Sequence, residues 1–464
     1  MQYIGLGILI IVTAFATAVL GPWMFAVLAV GLVFWFLVEW PLFSLGVLLL
    51  GVLAGQLVRI PVGGGTVVPS DLLLFAAVSA WVLRKLVRRE AFVLPSPLNA
   101  PLIVLDIVMM LSLLWATLVM PLGEVLNGAL YFLRFLAYQM IFFLVQSSAQ
   151  GVGHIKRLFS MVLGTGVLLG VLGFLQLVIF PDFSFMVPEG WDPHAGRLLS
   201  TWFDPNLLGG LFAFLAVLVL AQILSGERVS LTRLMALSIL IAALLLTFSR
   251  SSYVAFVLGF FVIILLTIRR SWWMLIFGVA VLVVSFLSSP RIQERVEGIF
   301  TIDVTAQKRI ESWSSIIFLA SEHPLLGVGY NTLRYAQFEE GLITDPGEHS
   351  AGGSDSSLLT ILATTGIVGL LAFVWLSVSA VALSWKVFVA KHADEFSRGL
   401  GLGMIGGLAV LFAHSQFVNS LLYPHILAMV WMVLGMLVWI SGTESRSKNQ
   451  EPGGEKFKST TLNS

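Results

Sequence analysis

Residues 236–266 have the sequence ALSILIAALLLTFSRSSYVAFVLGFFVIILL, in which Arg250 is the one charge among 31 residues. Apolar runs of this length are typical of membrane-spanning helices. An arginine at the centre of a membrane helix costs roughly 2.5–3.5 kcal/mol on insertion scales. We therefore expect Arg250 either to divide the stretch into two membrane helices or to face a polar cavity or a bound anion.

The rest of the chain is equally apolar. Of its 464 residues 58% are hydrophobic and 11% are charged, and the mean hydropathy is +0.97. A soluble protein of this length cannot bury so much apolar surface, so the composition predicts a polytopic membrane protein. The first apolar segment, residues 5–20, lacks a basic start and a small-residue cleavage site, and we expect a retained helix. The absence of cysteine excludes disulfides, a thiol nucleophile and a thiolate metal site.

The apolar segments predict an all-α, polytopic transmembrane helix bundle of about 12–14 membrane helices with a long, partly helical outer loop. Fourteen is our count, and twelve is an alternative because residues 1–58 could hold fewer spans. The predicted segments are 5–20, 22–38, 42–58, 71–87, 101–119, 127–146, 157–180, 207–224, 234–248, 251–268, 273–288, 357–384, 399–420 and 424–441. The predicted parts are a helix bundle over 1–288, an extracytoplasmic loop over 289–356, further helices over 357–442 and a disordered cytoplasmic tail over 443–464.

The basic residues predict the orientation. With the N-terminus in the cytoplasm, the inward loops carry 17 of the 26 lysines and arginines and the outward loops carry seven. This asymmetry follows the positive-inside rule and predicts that both termini are cytoplasmic. Within the long outer loop, residues 306–323 have apolar positions at Ile310, Trp313, Ile316, Ile317 and Ala320. This spacing predicts an amphipathic helix that ends at His323-Pro324.

Two arginines reach the outer boundary of the bilayer on this map, Arg197 in a loop and Arg250 at the end of a helix pair. A guanidinium stays charged and offers paired donors, so two of them suit a lipid-linked diphosphate. The alternative is that each arginine extends to the interface or pairs with a loop carboxylate such as Asp204. Arg134, about two turns below the surface, is expected to extend to the interface, or else to line the same cavity.

Two residues near the end of the long loop are candidate bases toward a sugar hydroxyl. His349 has an ordinary pKa near neutral, which suits a general base. Asp355 lies at the start of the next membrane segment, where it could instead cap the helix. The remaining histidines have no companions at metal-ligand spacing, so we expect no metal site. Gly327 and Gly329 in GVGYN do not follow a strand, which favours a turn after Pro324 over a phosphate loop.

Four stretches together resemble the O-antigen ligase and polymerase superfamily. They are RLLSTWFDPNLLGGLFAF (197–214), LLLTFSRSSYVAFVLG (244–259), RIESWSSIIFLASEHPLLGVGYNTL (309–333) and DSSLLTILATTGIVGLLAF (355–373). They occur in the family's order and on the expected side of the membrane. The chain departs from the family pattern where many members have His-Asn before the last of these helices, since Asp355-Ser356 stands there.

The resemblance implies a glycosyltransferase fold of the GT-C kind and a metal-independent, inverting transfer outside the cytoplasmic membrane. It implies a polyprenyl-diphosphate-linked glycan as donor and a glycan or lipid acceptor, with no cofactor. Arg197, Arg250 and Arg309 would hold the donor diphosphate, and His349 or Asp355 would activate the acceptor hydroxyl. A polymerase joining lipid-linked repeat units is an alternative. A small-anion transporter is another, although the sequence shows no paired, interrupted helices in matching halves. Nothing in the sequence indicates a nucleic-acid partner or an oligomeric state.

Overall fold

A computed structural model describes residues 21, 23–62, 65–226, 230–267, 304–345 and 354–450, with four isolated residues between 276 and 294. These residues are almost entirely helical. The helices are α1 (Trp23–Glu39), α2 (Pro41–Ala54), α3 (Pro69–Arg88), α4 (Asn99–Ala116), α5 (Leu122–Ser148), α6 (Val152–Ile179), α7 (Pro205–Leu224), α8 (Leu231–Leu246), α9 (Arg250–Thr267), α10 (Val304–Glu322), α11 (Leu333–Glu339), α12 (Ser357–Phe388), α13 (Glu395–His414) and α14 (Pro424–Gln450).

The structure confirms the all-α, polytopic membrane fold. Within the described residues, eight helices are long and apolar enough to cross a membrane, or nine if α1 and α2, bent by 118°, form one broken span. Two predicted segments, 5–20 and 273–288, lie outside the described residues, and the other twelve coincide with helices. Two differences are local. Strands Ile60–Val62 and Gly65–Val67 form a short antiparallel hairpin that we did not predict. Residues 443–450, expected to be disordered, continue α14 as a helix.

Helix α7 forms the centre of the bundle. Asp204 caps its start by accepting from the backbone N–H groups of Asn206 and Leu207, at 2.8 and 3.0 Å. Small residues allow α13 to pack closely along it. A side chain at Gly403 would meet Leu218 of α7, and one at Gly407 would meet Phe214. Such glycine-mediated contacts are typical of membrane helices, where close packing replaces the hydrophobic effect. The α7–α13 pair fixes the positions of two site residues, Asn206 and His414.

The helix ends fall into two sets. At one end, Arg88 pairs with Glu39 at 2.9 Å and Lys156 pairs with Asp394 at 3.1 Å. At the other end, α2, α3, α5, α7, α8, α9, α12, α13 and α14 begin or end together. There the N–H of Leu198 donates to Leu246. This division matches the sets of loops that the basic residues assigned to opposite sides of the membrane.

Candidate active site

Arg197 links the start of α7 to the end of α8. Its Nε donates to the carbonyl oxygen of Thr247 at 2.8 Å, and its Nη2 donates to Oδ1 of Asn206 at 3.0 Å. Both of these acceptors are neutral. Asp204, the carboxylate considered as its partner, instead caps α7. The pKa of Asp204 is raised by its burial. The two capping N–H groups and the charge of Arg197 offset this effect only in part.

Arg250 begins α9 directly after a break in the apolar stretch, as the first of the two alternatives predicted. Residues 247–249 separate α8 from α9, and Phe248 adopts a left-handed conformation with φ of 49°. Such a backbone is unfavourable for a bulky residue and recurs at functional sites. Since Arg197 donates to Thr247, the structure places Arg197 against the turn that precedes Arg250. The side chain of Arg250 is half-buried.

A buried serine–histidine contact joins this turn to α13. The hydroxyl of Ser252 lies 3.1 Å from Nε2 of His414 and 3.3 Å from the carbonyl oxygen of Asn206. His414 is fully buried at the last residue of α13, and a side chain at Gly210 would meet its ring. We did not predict a role for His414 from the sequence. Its position at the end of an apolar segment was the available signal.

Arg309 and Trp313 lie one turn apart on α10 and face the same region. Nε of Arg309 is 3.4 Å from Oδ2 of Asp355 but makes no hydrogen bond. The indole Nε1 of Trp313 is likewise buried and finds no acceptor among the described residues, and its ring lies 6.2 Å from that of Phe417. The structure thus brings Arg309 to the same end of the bundle as Arg197, and it adds Trp313, which we did not single out.

The two candidate bases differ in what the structure describes. His349 belongs to residues 346–353 and lies outside the described residues. Asp355 is 54% exposed at its side chain and lies beside Arg309. The suggestion that Asp355 caps α12 is wrong, because Ser356 is the capping residue and accepts from the N–H of Leu359. Among the described residues, no group of three histidine or acidic side chains is placed to hold a metal ion.

The helix predicted over 306–323 is confirmed as α10, which ends before the stop at His323-Pro324. Its apolar face is shifted from the predicted one. Ile316 is fully buried, whereas Ile310 and Ile317 are 51% and 54% exposed. The half-buried Arg309 lies on the same face as Ile316, beside Asp355. A pattern based on apolar residues alone could not include an arginine in this face.

Helix α12 is broken at Gly366, which has a φ of 67°. The segment after α10 fills the break. The N–H groups of Val328 and Gly329 donate to the carbonyls of Ala363 and Thr364, and the N–H of Ile367 donates to Pro324. These bonds satisfy backbone groups that a continuous helix would pair internally, as irregular backbone at membrane depth requires. The GVGYN segment is therefore a turn, as predicted.

A cavity of about 130 Å³ lies beside this break. Arg134 lines it, and the Nε of Arg134 donates to Oδ1 of Asp71 at 2.8 Å. The same carboxylate accepts from the hydroxyl of Tyr138 at 3.1 Å. The expectation that Arg134 extends to the membrane interface is wrong, since an ion pair with a residue of α3 holds it inside the bundle.

Residues 234–374 match a family model described as O-antigen ligase. This match supports the O-antigen ligase superfamily for residues 234–374. The match includes α8, α9, α10 and the broken part of α12, and with them the motifs of Arg250 and Arg309, and it confirms the resemblance to the O-antigen ligase superfamily. The O-antigen ligase domain is typical of multi-pass membrane proteins that transfer glycans as ligases or polymerases. No curated protein matches the sequence.

Proposed function

We propose that this O-antigen ligase-type protein transfers a glycan from a polyprenyl diphosphate to an acceptor hydroxyl at the outer face of the cytoplasmic membrane. The observation that carries the proposal is a pair of buried donors on α10 with no hydrogen-bond acceptor among the described residues, Nε1 of Trp313 and Nε of Arg309, although Oδ2 of Asp355 lies 3.4 Å from the latter. A buried donor without a partner costs about 1–3 kcal/mol. An oxygen-rich ligand such as a diphosphate would provide the missing acceptors.

Arg197, Arg250 and Arg309 would hold the diphosphate at the end of the bundle where their segments meet. A base removes the proton from the acceptor hydroxyl, and the hydroxyl oxygen forms a bond to the anomeric carbon of the donor. The bond from that carbon to the diphosphate oxygen breaks, and its electron pair leaves with the diphosphate. Guanidinium groups that are already in position stabilise the charge of the leaving group without reorganising during the reaction. Attack from the opposite face inverts the anomeric centre.

We assign the base to His349, whose ordinary pKa suits proton transfer near neutral pH. Asp355 is the alternative. Its contact with Arg309 supports a different role, in which the carboxylate orients the guanidinium. The cation that stabilises the leaving group is provided by arginine in this proposal, so transfer should persist in the presence of a chelator. Activity that disappears with EDTA and returns with magnesium or manganese would require a metal-dependent mechanism instead.

A polymerase that joins lipid-linked repeat units uses the same donor and is the alternative within the enzyme class. Deletion of the gene separates the two. Long glycans stranded on the polyprenyl lipid indicate a ligase, whereas single repeats indicate a polymerase.

A small-anion transporter is the alternative from another class. The break in α12 is a feature that transporters also have. Lipid-linked glycan of normal length and amount after deletion, together with lost anion flux, would favour the transporter and contradict the proposed transfer.

A further inference from the structure

The cavity beside the break in α12 is lined by none of Arg197, Arg250 and Arg309. Its walls come from α5, the turn that follows Gly329 with the start of α11, the first turns of α12, the segment between α13 and α14, and the start of α14. It is lined by Tyr131, Arg134, Phe135, Tyr138, Tyr330, Asn331, Leu333, Thr360, Thr364, Asn419, Leu422, Pro424 and Leu427. The lining combines aromatic rings with hydroxyl and amide groups, and such a mixture is typical of sites for small polar ligands.

The charge of the cavity is already balanced. Among the described residues that line it, Arg134 is the one that carries a charge, and the carboxylate of Asp71 accepts from it at 2.8 Å. Their side chains are only 23% and 15% exposed, so water screens the pair weakly. An anionic ligand would have to compete with Asp71 for the guanidinium. The cavity therefore favours a neutral ligand, in contrast to the region around Arg309.

One lining group needs a hydrogen-bond donor. Oδ1 of Asn419 is buried and accepts no hydrogen bond from the described residues. A phosphate or carboxylate oxygen has no hydrogen to offer this atom, whereas a hydroxyl group does. The rings of Tyr131 and Tyr330 add apolar surface against which the C–H face of a ring can pack.

We propose that this cavity binds one neutral sugar ring of the glycan substrate. The proposal rests on the function proposed above. The volume of about 130 Å³ is slightly below the roughly 150 Å³ of a protein cavity that holds benzene, so the cavity encloses part of one sugar ring and leaves no room for a second. Longer glycans would place one residue in the cavity and the remainder outside it.

The cavity lies next to the proposed catalytic region. The hydroxyl of Thr360, one of its lining residues, is 3.0 Å from the hydroxyl of Ser354, and Ser354 directly precedes Asp355. A ring in the cavity would therefore lie within reach of residues 354–356. That ring is either the sugar next to the donor diphosphate or the sugar that carries the acceptor hydroxyl.

Binding of methyl glycosides of glucose, galactose and N-acetylglucosamine to the purified full-length protein in detergent, measured by saturation-transfer NMR, tests the proposal. We expect at least one glycoside to bind, and Asn419→Ala to weaken its binding about three- to tenfold, as expected for loss of one neutral hydrogen bond. Thr360→Val should also weaken it. Asn99→Ala, at the opposite end of the bundle, is the matched control and should bind normally. Absence of binding by all three glycosides, or equal affinity in Asn419→Ala and wild type, would overturn the proposal.

Two further measurements show whether the bound ring belongs to the donor or to the acceptor, and they test this proposal separately from the proposed function. In a transfer assay, a raised KM for the acceptor in Asn419→Ala assigns the cavity to the acceptor sugar, and a raised KM for the lipid-linked donor assigns it to the donor sugar. Arg250→Ala should lose transfer but keep glycoside binding. If wild type binds the glycosides and transfers no glycan, the sugar site stands and the proposed function fails.

Discussion

Arg250 lies at the first residue of a membrane helix, after a turn that the apolar sequence could not fully specify. The sequence predicted a division of the stretch because a buried guanidinium is costly. The left-handed Phe248 and the hydrogen bond from Arg197 to Thr247 belong to the tertiary structure. Arg134 makes the same point, because its partner Asp71 is 63 residues away in the chain and no local pattern connects them.

Arg197 and Arg250 should be required for transfer. We expect Arg250→Ala and Arg197→Ala each to abolish glycan transfer in membranes with normal amounts of inserted protein. Arg250→Lys should also lose most activity, because a point charge does not replace a planar guanidinium with paired donors. Arg157→Ala, an exposed arginine at the opposite end, is the control and should leave transfer unchanged. Near-normal product from Arg250→Ala would indicate a structural role for that residue.

The two candidate bases should respond differently to substitution. We expect His349→Ala to lower turnover by a factor on the order of 10²–10⁴ and to flatten the acid limb of the pH profile. Asp355→Asn should keep most activity, because its ion pair with Arg309 is half-exposed and such pairs contribute about 0–1 kcal/mol. Steady-state kinetics across pH distinguish the two. An inactive Asp355→Asn beside a normal His349→Ala would identify the carboxylate as the base.

Among the elements, the helices were predictable and the break in α12 was not. Apolar length marks a membrane helix, but ATTGIVG gives no sign that a separate segment fills a gap at Gly366. That segment includes Gly327, where a side chain would meet the backbone of Thr364. In α12, a side chain at Gly366 would in turn meet the backbone of Leu325. Both glycines have positive φ as well. The sequence therefore predicted the turn at Gly327 but not its partner in α12.

Replacing either glycine of this contact should destabilise the site. We expect Gly366→Ala to lower the melting temperature of the purified protein and to reduce transfer, because the added methyl group meets backbone and the φ of 67° and ψ of −171° are essentially restricted to glycine, at a cost of about 1–3 kcal/mol for other residues. Gly164→Ala in α6 is the control, since nothing lies within 4 Å of its added methyl group. Equal melting temperatures for Gly366→Ala and wild type would contradict the described break.

The loop that carries Arg197 should loosen in acid. Burial, assisted by the charge of Arg197, lowers the pKa of His194 to about 4. The folded loop therefore favours neutral histidine, and its stability is fully present above the unfolded pKa of about 6.5 and is lost as the pH falls toward 4. We expect faster amide hydrogen exchange in residues 181–199 at pH 5 than at pH 7, after correction for intrinsic rates. His194→Gln should remove this difference, and its persistence in that variant would exclude His194 as the cause.

At the scale of the whole molecule, composition was sufficient for the fold class and insufficient for the site. The all-α membrane bundle follows from apolar length alone. The contact between Arg309 and Asp355 depends on how α10 packs beside the start of α12, and the cavity depends on several segments that are distant in sequence. The two sets of helix ends agree with the division of the loops that the basic residues predict. Which of the two sets faces the cytoplasm is the point to be tested.

Labelling of introduced cysteines tests the orientation of the entire chain. We predict that residues 289–356 are outside and both termini are inside, because 17 of 26 basic residues then face the cytoplasm. The protein has no cysteine, so Ser314→Cys and Ser447→Cys each provide a single thiol. In cells with a permeabilised outer membrane, an impermeant thiol reagent should label the first variant and spare the second, whereas lysed cells should label both. The reverse labelling pattern in intact cells would mean that the orientation is the opposite of the predicted one. Arg197, Arg250 and Arg309 would then lie at the cytoplasmic face, where a donor exported across the membrane could not reach them.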